Sequence, residues 1–289
     1  AALVFCDIIG ISLDVSSRAR AQAAAKTGIP AANILIAAIH SHTGPLYDGA
    51  LRKHFHDTAV AEHGSDPCEK VNYADELATK LVDVITQAAA AEKPVRLEAG
   101  STEQKGLSFN RRFHMKDGTV RFNPGVLNPD IVRVAGPIDP QVGTVFFRRA
   151  DGGEAVAGLV NFALHLDTVG GTLYAADYPY YIEQSLREKY GDQFVCLFGT
   201  GTCGDINHID VTKKERLKTD YIGRTLAETV RKRAESLETV AQPSLAVRNA
   251  IVEAPLQRYG PEKVAWAREN IKKVGTSDLS FLEQVEAYK

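Results

Sequence analysis

The chain has 289 residues, enough to bury a large core as one α/β domain or two smaller ones. Its 34 basic and 36 acidic residues nearly cancel, and no strongly basic segment with interleaved aromatic residues occurs, which argues against a nucleic-acid surface. The longest apolar runs have strand length, so no membrane-spanning helix is predicted. The four cysteines lack CxxC spacing and therefore support neither a zinc knuckle nor a disulfide scaffold.

The start of the chain predicts a β-α-β unit. Residues 2–11 are typical of a strand, and the next segment predicts a helix that begins at Asp14 and closes at Gly28. Residues 34–39 are apolar on both faces, which predicts an interior strand parallel to the first. The second strand runs directly into His40, at the edge where open α/β sheets bind their ligands.

A histidine pair follows this second strand. His40 and His42 are two residues apart, so they project to the same side if the chain stays extended. Two imidazoles on one side could hold a metal, or could pair a base with a ligand. Two hydrogen-bonded histidines at a strand end are also compatible with the pattern, which is a weak signal on its own.

The rest of the chain predicts a mixed β-sheet core flanked by helices, and hence an α/β fold. The hairpin within residues 142–165 is expected to turn at Asp151-Gly152-Gly153. The other predicted segments are an irregular stretch 47–66, a helix 73–92, a strand 95–104, a long ordered loop 107–140, a helix 178–191, a strand 193–199, a helix 216–237, a strand 245–252 and helices beyond residue 261.

Two further segments indicate chemistry. His165 ends an apolar strand, as His40 does, and two such strand ends make a shared site more plausible than either alone. The segment that follows the strand residues 193–198 contains Gly199, Gly201 and Gly204, which permit positive φ and could direct backbone N–H groups at an anion or oxyanion. By itself, such a loop is more often a tight turn.

Four stretches together resemble one family. In chain order they are AAIHSHTGP, SFNRR, NFALH and GTCGDINHI, and they are similar to the catalytic domain of the neutral/alkaline, non-lysosomal ceramidases, from residue 2 to about residue 210. The resemblance implies that His40 and His165 bind zinc and that His42 lines the same pocket. It also implies a glutamate and a tyrosine ligand from beyond residue 289. We therefore expect residues 1–289 to be an incomplete ceramidase-like catalytic domain that lacks parts at both ends.

Other site residues also follow from the resemblance. Arg111 matches an arginine beside the nucleophile, and Asp177 matches the aspartate of a Ser-Gly-Asp motif. We expect Asp177, Asp205 and Gly204 to contact substrate or to orient ligands and loop backbone. We expect Arg111 to orient a polar or anionic substrate group, and His42 to transfer a proton.

Asn207 departs from the family pattern, because it stands where the ceramidase nucleophile is a serine. Three explanations remain open: attack by zinc-bound water with Asn207 as an oxyanion or substrate contact, a substitute nucleophile, or binding without turnover. The substitute nucleophiles considered are Cys203, Ser41 and Thr202. We favour the metal-activated water.

The sequence therefore predicts a zinc-dependent hydrolase that cleaves an amide or related acyl bond in a small or lipid-like substrate. The alternative is a non-catalytic, metal-containing domain that binds a lipid or glycan. The resemblance suggests secretion or a cell-envelope location. The sequence does not predict an oligomeric state.

Overall fold

The computed structural model describes residues 1–151, 153–248, 250 and 252–288. Its strands are β1 Ala2–Cys6, β2 Ile34–Ala38, β3 Val95–Glu103, β4 Phe109–Asn110, β5 Arg112–Met115, β6 Val120–Phe122, β7 Ile131–Val134, β8 Gln141–Arg149, β9 Ala155–Phe162, β10 Val195–Thr200, β11 Ile206–Asn207 and β12 Glu238–Thr239. Its α-helices are α1 Leu13–Thr27, α2 Ala50–His63, α3 Tyr73–Ala90, α4 Tyr178–Tyr190, α5 Thr219–Arg233, α6 Pro261–Asn270 and α7 Phe281–Tyr288. Within the described residues, no helix is both long and apolar enough to cross a membrane.

The chain forms two compact units. The first consists of Ala1–Pro45 and Ala78–Ala246, and the second of Leu46–Leu77 and Val247–Lys289. The first unit contains the strands β1 to β12, so the predicted α/β fold with a mixed sheet is confirmed there. The expectation of a single incomplete catalytic domain remains a prediction.

The predicted β-α-β unit is confirmed. β1 and β2 are parallel, and α1 connects them and ends at Gly28, which adopts the left-handed conformation with φ 74°. The helix begins earlier than predicted, because the Ser12 hydroxyl, rather than Asp14, caps its first turn by accepting from the Val15 N–H. The prediction of an interior strand is wrong: β2 pairs with β1 in the described sheet, and its Leu35 is 51% exposed.

The main sheet has five strands in the order β10-β9-β8-β3-β12. The predicted hairpin is confirmed, because β8 and β9 are antiparallel neighbours; Gly152 of its turn lies outside the described residues. β10 joins β9 in parallel, which makes the sheet mixed. The strand predicted at 245–252 is wrong for the residues described there, since the last strand is β12; residues 249 and 251 are not described.

α4 and α5 form the helical layer of the core against this sheet. Tyr178 and Leu226 of these helices are fully buried in one apolar cluster with Phe146 and Phe162 of the sheet. The two helices approach closely at Gly223, where a Cβ atom would lie 2.6 Å from the Cβ atom of Tyr181. The core therefore holds in place the end of β9, which His165 follows.

Two predictions for the middle of the chain are wrong. The supposedly irregular stretch 47–66 contains α2, which has no buried residue, so its sequence lacks the apolar stripe that predicts a helix. The supposed long loop 107–140 contains β4 to β7, of which β5, β6 and β7 form an antiparallel sheet. These strands have two to four residues each, too few to show a convincing alternation. The predicted helices in the positions of α3 to α7 are confirmed.

Candidate metal centre

The first histidine pair lies where the chain leaves β2. The strand ends at Ala38, and His40 has φ 71°, so the chain does not stay extended through the pair. The two rings nevertheless lie with their centroids 5.0 Å apart and nearly perpendicular. The following turn packs tightly, because a Cβ atom on Gly44 would lie 2.6 Å from the carbonyl oxygen of Asp7. Glycine is therefore needed to bring this turn against the end of β1.

His165 joins the pair from the end of β9. Ser41 forms an isolated parallel bridge with Leu166, and the His42 N–H donates to the Leu166 carbonyl at 3.0 Å. The His165 ring is buried, and its centroid lies 4.8 Å from that of His40 and 4.9 Å from that of His42. The candidate ligand nitrogens of the three rings all lie within 4.8 Å of one another. The predicted convergence of His40 and His165 is therefore present.

Backbone carbonyls orient two of the three imidazoles. His40 Nδ1 is 2.8 Å from the Ile9 carbonyl oxygen, and His165 Nδ1 is 3.0 Å from the Cys203 carbonyl oxygen. A carbonyl oxygen only accepts, so both Nδ1 atoms carry the hydrogen and both Nε2 atoms keep their lone pairs. This arrangement is typical of metal-binding histidines.

The donor set fits a zinc-like ion. His42 Nε2 lies 3.1 Å from His165 Nε2, and two ligands of a tetrahedral zinc ion at 2.0–2.1 Å are about 3.3–3.4 Å apart. His42 is exposed as a residue, but its Nε2 faces His165, and its ring lies close to both other imidazoles. Burial and the neighbouring rings of His165 and His40 lower the pKa of His42 to about 4. Burial also lowers the pKa of His165, so both rings are neutral at neutral pH, as metal ligation requires.

Asp167 is a site residue that the sequence reasoning missed. Its carboxylate lies 3.2 Å from His208 Nδ1 and 3.9 Å from an Arg111 guanidinium nitrogen. Burial alone would raise the pKa of Asp167, but the hydrogen bond from His208 holds the pKa below its usual value. The available signal was the spacing, since Asp167 follows His165 by two residues. The site therefore includes one carboxylate close to the imidazoles.

Arg111 lies beside this carboxylate, with only 12% of its side chain exposed. Its Nε and Nη2 atoms donate to the Gly204 carbonyl at 3.2 and 2.8 Å, and its guanidinium lies over the Phe122 ring. Asp205 accepts a hydrogen bond from the Asn110 amide at 2.8 Å, and its carbonyl accepts from the Arg111 N–H. Gly204 and Asp205 therefore hold the arginine segment in place. The predicted substrate contact of Arg111 remains a prediction.

Asn207 is buried and holds two loops together. Its Nδ2 donates to the Asn123 side chain at 3.0 Å, and its Oδ1 accepts from the Ile209 N–H at 3.0 Å. These bonds use one of the two amide hydrogens and one of the two oxygen lone pairs. The predicted contact of Asn207 with an oxyanion or substrate is not tested by this arrangement.

Asp177 binds the loop that follows His165. Its carboxylate accepts from the Thr168 N–H at 2.9 Å, the Thr168 hydroxyl at 2.5 Å, the Val169 N–H at 3.2 Å and the Tyr178 N–H at 2.7 Å. The residue is buried, and its φ of 62° is a backbone conformation that residues other than glycine rarely adopt. Asp177 therefore ties the backbone of the loop 168–169 to the start of α4, and its expected role at the site remains a prediction.

The substitute nucleophiles have different environments. The Ser41 hydroxyl is fully buried and donates to the Ala175 carbonyl at 2.7 Å. Burial raises the pKa of the Cys203 thiol, which makes the reactive thiolate scarcer at neutral pH. Thr202 is exposed at the surface of the glycine loop. The buried hydrogen bond of Ser41 and the raised thiol pKa of Cys203 therefore disfavour both residues as nucleophiles.

The loop glycines do not use the positive φ that glycine permits. Gly199, Gly201 and Gly204 are absent from the described glycines that have positive φ. Two of them are required by close packing instead. A Cβ atom on Gly199 would lie 3.2 Å from the Phe5 ring, and one on Gly201 would lie 3.1 Å from the Ala163 backbone.

The fold is similar to that of the ceramidases, which confirms the predicted resemblance at the level of the fold. The neutral ceramidase from Pseudomonas aeruginosa matches with a TM-score of 0.55 and 22% identity, over 81% of this chain and 37% of that chain. A ceramidase complexed with C2 matches with a TM-score of 0.57 and 22% identity, over 80% of this chain and 35% of that chain. The chain thus spans little more than a third of the length of these structures. No family model and no curated protein sequence matches it.

Proposed function

We propose that the chain belongs to a zinc-dependent hydrolase that cleaves an amide or related acyl bond. The observation that carries the proposal is the convergence of His40, His42 and His165 in a fold similar to the ceramidases. When bound, zinc polarises a carbonyl oxygen and lowers the pKa of a water ligand towards about 7. His40 and His165, the ligands predicted from the sequence, would hold it through Nε2 atoms whose lone pairs are left free by the hydrogen bonds at Nδ1.

The chain's own residues supply orientation and charge around the ion. Asp167, paired with His208, provides negative charge beside His42 and His165. Arg111 is held by the Gly204 carbonyl and keeps its Nη1 end on the side of Asp167, where it orients a polar or anionic group of the substrate. Asn207 adds a hydrogen bond to substrate or oxyanion through the second hydrogen of its amide.

The substrate is proposed to be a small or lipid-like acyl compound. This proposal draws on the likeness to the ceramidases, whose solved structures are about three times longer than the part that this chain covers. Ceramide is one member of the substrate class and serves as one probe among several N-acyl and ester compounds.

A non-catalytic binding domain is the second candidate. The observation that favours it is Asn207, which replaces the ceramidase serine and whose amide binds Asn123 and the Ile209 backbone. A carboxamide cannot form the acyl intermediate that a serine forms. Such a domain would keep the metal and bind a lipid or glycan without turnover.

Zinc analysis paired with a substrate screen separates the two candidates. The full chain is freed of metal, reconstituted with zinc and tested on N-acyl and ester substrates of different chain length. Zinc-dependent turnover that is lost in His40→Ala supports the hydrolase. Zinc binding with saturable association and no turnover of the panel supports the binding domain. Absence of zinc binding contradicts both.

A further inference from the structure

We propose that His56, Asp66 and Glu69 form a second metal-binding site, at α2 and the segment that follows it. The site is separate from the cluster of His40, His42 and His165, because its three residues belong to the second compact unit and the cluster belongs to the first. It also has no part in the proposed hydrolysis. One imidazole and two carboxylates suit a first-row divalent cation such as zinc.

Three ligand atoms from two parts of the chain converge at this site. His56 Nδ1 lies 3.0 Å from Glu69 Oε2 and 3.4 Å from Asp66 Oδ2. The candidate ligand atoms of the three residues all lie within 4.8 Å of one another. Ligand atoms bound to one zinc ion at about 2.0–2.2 Å are themselves about 2.9–3.6 Å apart. Both separations from His56 therefore fit a shared ion.

The His56 nitrogen that faces the two carboxylates is itself without a hydrogen bond. Nδ1 is inaccessible to solvent and has no hydrogen-bond partner among the described residues, although 39% of the side chain is exposed. A buried polar atom of this kind costs free energy unless a partner satisfies it. A metal ion would do so, because it accepts the lone pair of a neutral imidazole. This nitrogen distinguishes the site from an ordinary group of acidic side chains.

The two carboxylates are held in place by groups around them. Asp66, whose side chain is only 3% exposed, accepts hydrogen bonds from the Cys68 N–H at 2.8 Å and from the Arg52 guanidinium. The same guanidinium nitrogen donates to Glu69 Oε1 at 2.8 Å, which leaves Glu69 Oε2 on the side of His56. The hydrogen bond from Arg52 holds the pKa of Asp66 below its usual value. Hydrogen bonds of this kind orient the ligating carboxylates of metal sites.

The charges around the site favour a divalent cation. Asp66 and Glu69 carry two negative charges when ionised, and Arg52 offsets one of them. The neighbouring Lys53 and Asp57 form an ion pair with each other and leave this balance unchanged. One negative charge therefore remains beside the ring nitrogen of a neutral His56. A proton on Nδ1 would also neutralise it, but that N–H is aligned with neither carboxylate, whereas an ion placed between the three ligand atoms contacts all of them.

The ion would attach α2 to the chain that follows it. The helix has no buried residue, so packing contributes little to holding it. Gly64 ends the helix in the left-handed conformation with φ 75°, and the chain then places Asp66 and Glu69 beside His56, one helical turn or more before the end. His56 and Glu69 are 39% and 44% exposed, so water can reach the ion and complete its coordination.

Zinc binding by a variant without the histidine cluster tests the inference. The His40→Ala/His165→Ala variant of the full chain lacks both ligands that the sequence predicts for the first site. Its zinc affinity is measured by titration of the metal-free protein against a chelator, and again with His56→Ala or Glu69→Gln added. His63→Ala, which removes an exposed histidine of the same helix, is the matched control. Circular dichroism verifies that each metal-free variant is folded, and zinc counts in wild type and in His56→Ala give a second readout that leaves the first site intact.

We expect His40→Ala/His165→Ala, with or without the control substitution, to keep one equivalent of zinc. Loss of partners outside the ligand shell costs about 10–100-fold in metal affinity, so His56→Ala, which removes a direct ligand, should cost more than about 100-fold. Glu69→Gln, which keeps the shape and removes the charge, should cost at least about 10-fold. In wild type, His56→Ala should lower the zinc count by one.

The failure of this site and the failure of the proposed hydrolase give different results. If folded His40→Ala/His165→Ala binds no zinc while wild type does, the second site is overturned and the hydrolase stands. Zinc affinity and count that are unchanged by His56→Ala would overturn the second site as well. If wild type binds zinc only in a manner that depends on His56, the second site stands and the zinc hydrolase fails.

Discussion

Asp177 provides a sharp test of how the loop behind His165 is held. Its buried carboxylate accepts hydrogen bonds from two donors of Thr168 and from the backbone N–H groups of Val169 and Tyr178. Asp177→Ala leaves these donors without their acceptor. Each donor that water cannot reach then lowers the free energy of unfolding by about 1–3 kcal/mol. Because the loop can relax and admit water to some of them, we expect a total loss of about 3–5 kcal/mol in the free energy of unfolding.

The positive φ of Asp177 supplies an internal control. Asp177→Gly removes the same carboxylate but relieves the backbone strain at φ 62°, so it should be less destabilising than Asp177→Ala by about 1 kcal/mol. Thr168→Val removes one hydroxyl donor and should cost about 1 kcal/mol. Urea unfolding of the metal-free chain, followed by circular dichroism, measures all three variants. A loss below about 1 kcal/mol for Asp177→Ala would refute the reasoning.

Three other variants test separate parts of the molecule. Glu98 lies buried between Arg148 and Arg96. Burial raises the pKa of its carboxyl group, but the two arginines outweigh this effect and hold the pKa below the ordinary 4.5. The ionised form of Glu98 therefore stabilises the fold above that pH. Glu98→Gln should lower the free energy of unfolding at pH 7 by about 1–3 kcal/mol, and the gap from wild type should narrow in urea titrations as the pH falls below 4.5. Gly223→Ala should cost about 2–4 kcal/mol in the same assay, because its Cβ atom would collide with the backbone of α4; an unchanged midpoint would contradict this packing. Asn207→Ala should lower turnover by about 10²–10³ with zinc content unchanged, and full activity would remove this residue from the mechanism.

Much of the first unit could be predicted because its elements are long and their signals are local. The β1-α1-β2 unit, the β8-β9 hairpin and α4 each carry a clear apolar period and a turn or cap signal. Short elements and a helix without a buried residue could not be predicted in this way. α2 has no buried face, and β4 to β7 are too short for their pattern to differ from that of a loop.

In the site, too, the features with local sequence signals could be predicted, and those that depend on distant residues could not. Strand ends that finish in histidine predicted the convergence of His40 and His165, although the chain does not stay extended at His40. The hydrogen bonds that select their tautomers come from the Ile9 and Cys203 carbonyls, which are 31 and 38 residues away and have no side-chain signature. Asp167 was missed because its partner His208 is 41 residues distant, and a lone aspartate after His165 has many uses. Local chemistry was thus visible in the sequence, whereas its orientation depended on the fold.

Acyl-bond hydrolysis by this chain is proposed to require zinc held by the histidine cluster. The most direct measurement is the rate of acyl-substrate cleavage by the full chain in metal-free form, after addition of one equivalent of zinc, and in the His40→Ala variant treated identically. We predict no turnover without metal, turnover that rises with bound zinc, and no recovery in the variant. Equal turnover by the metal-free and zinc-loaded protein would contradict the claim.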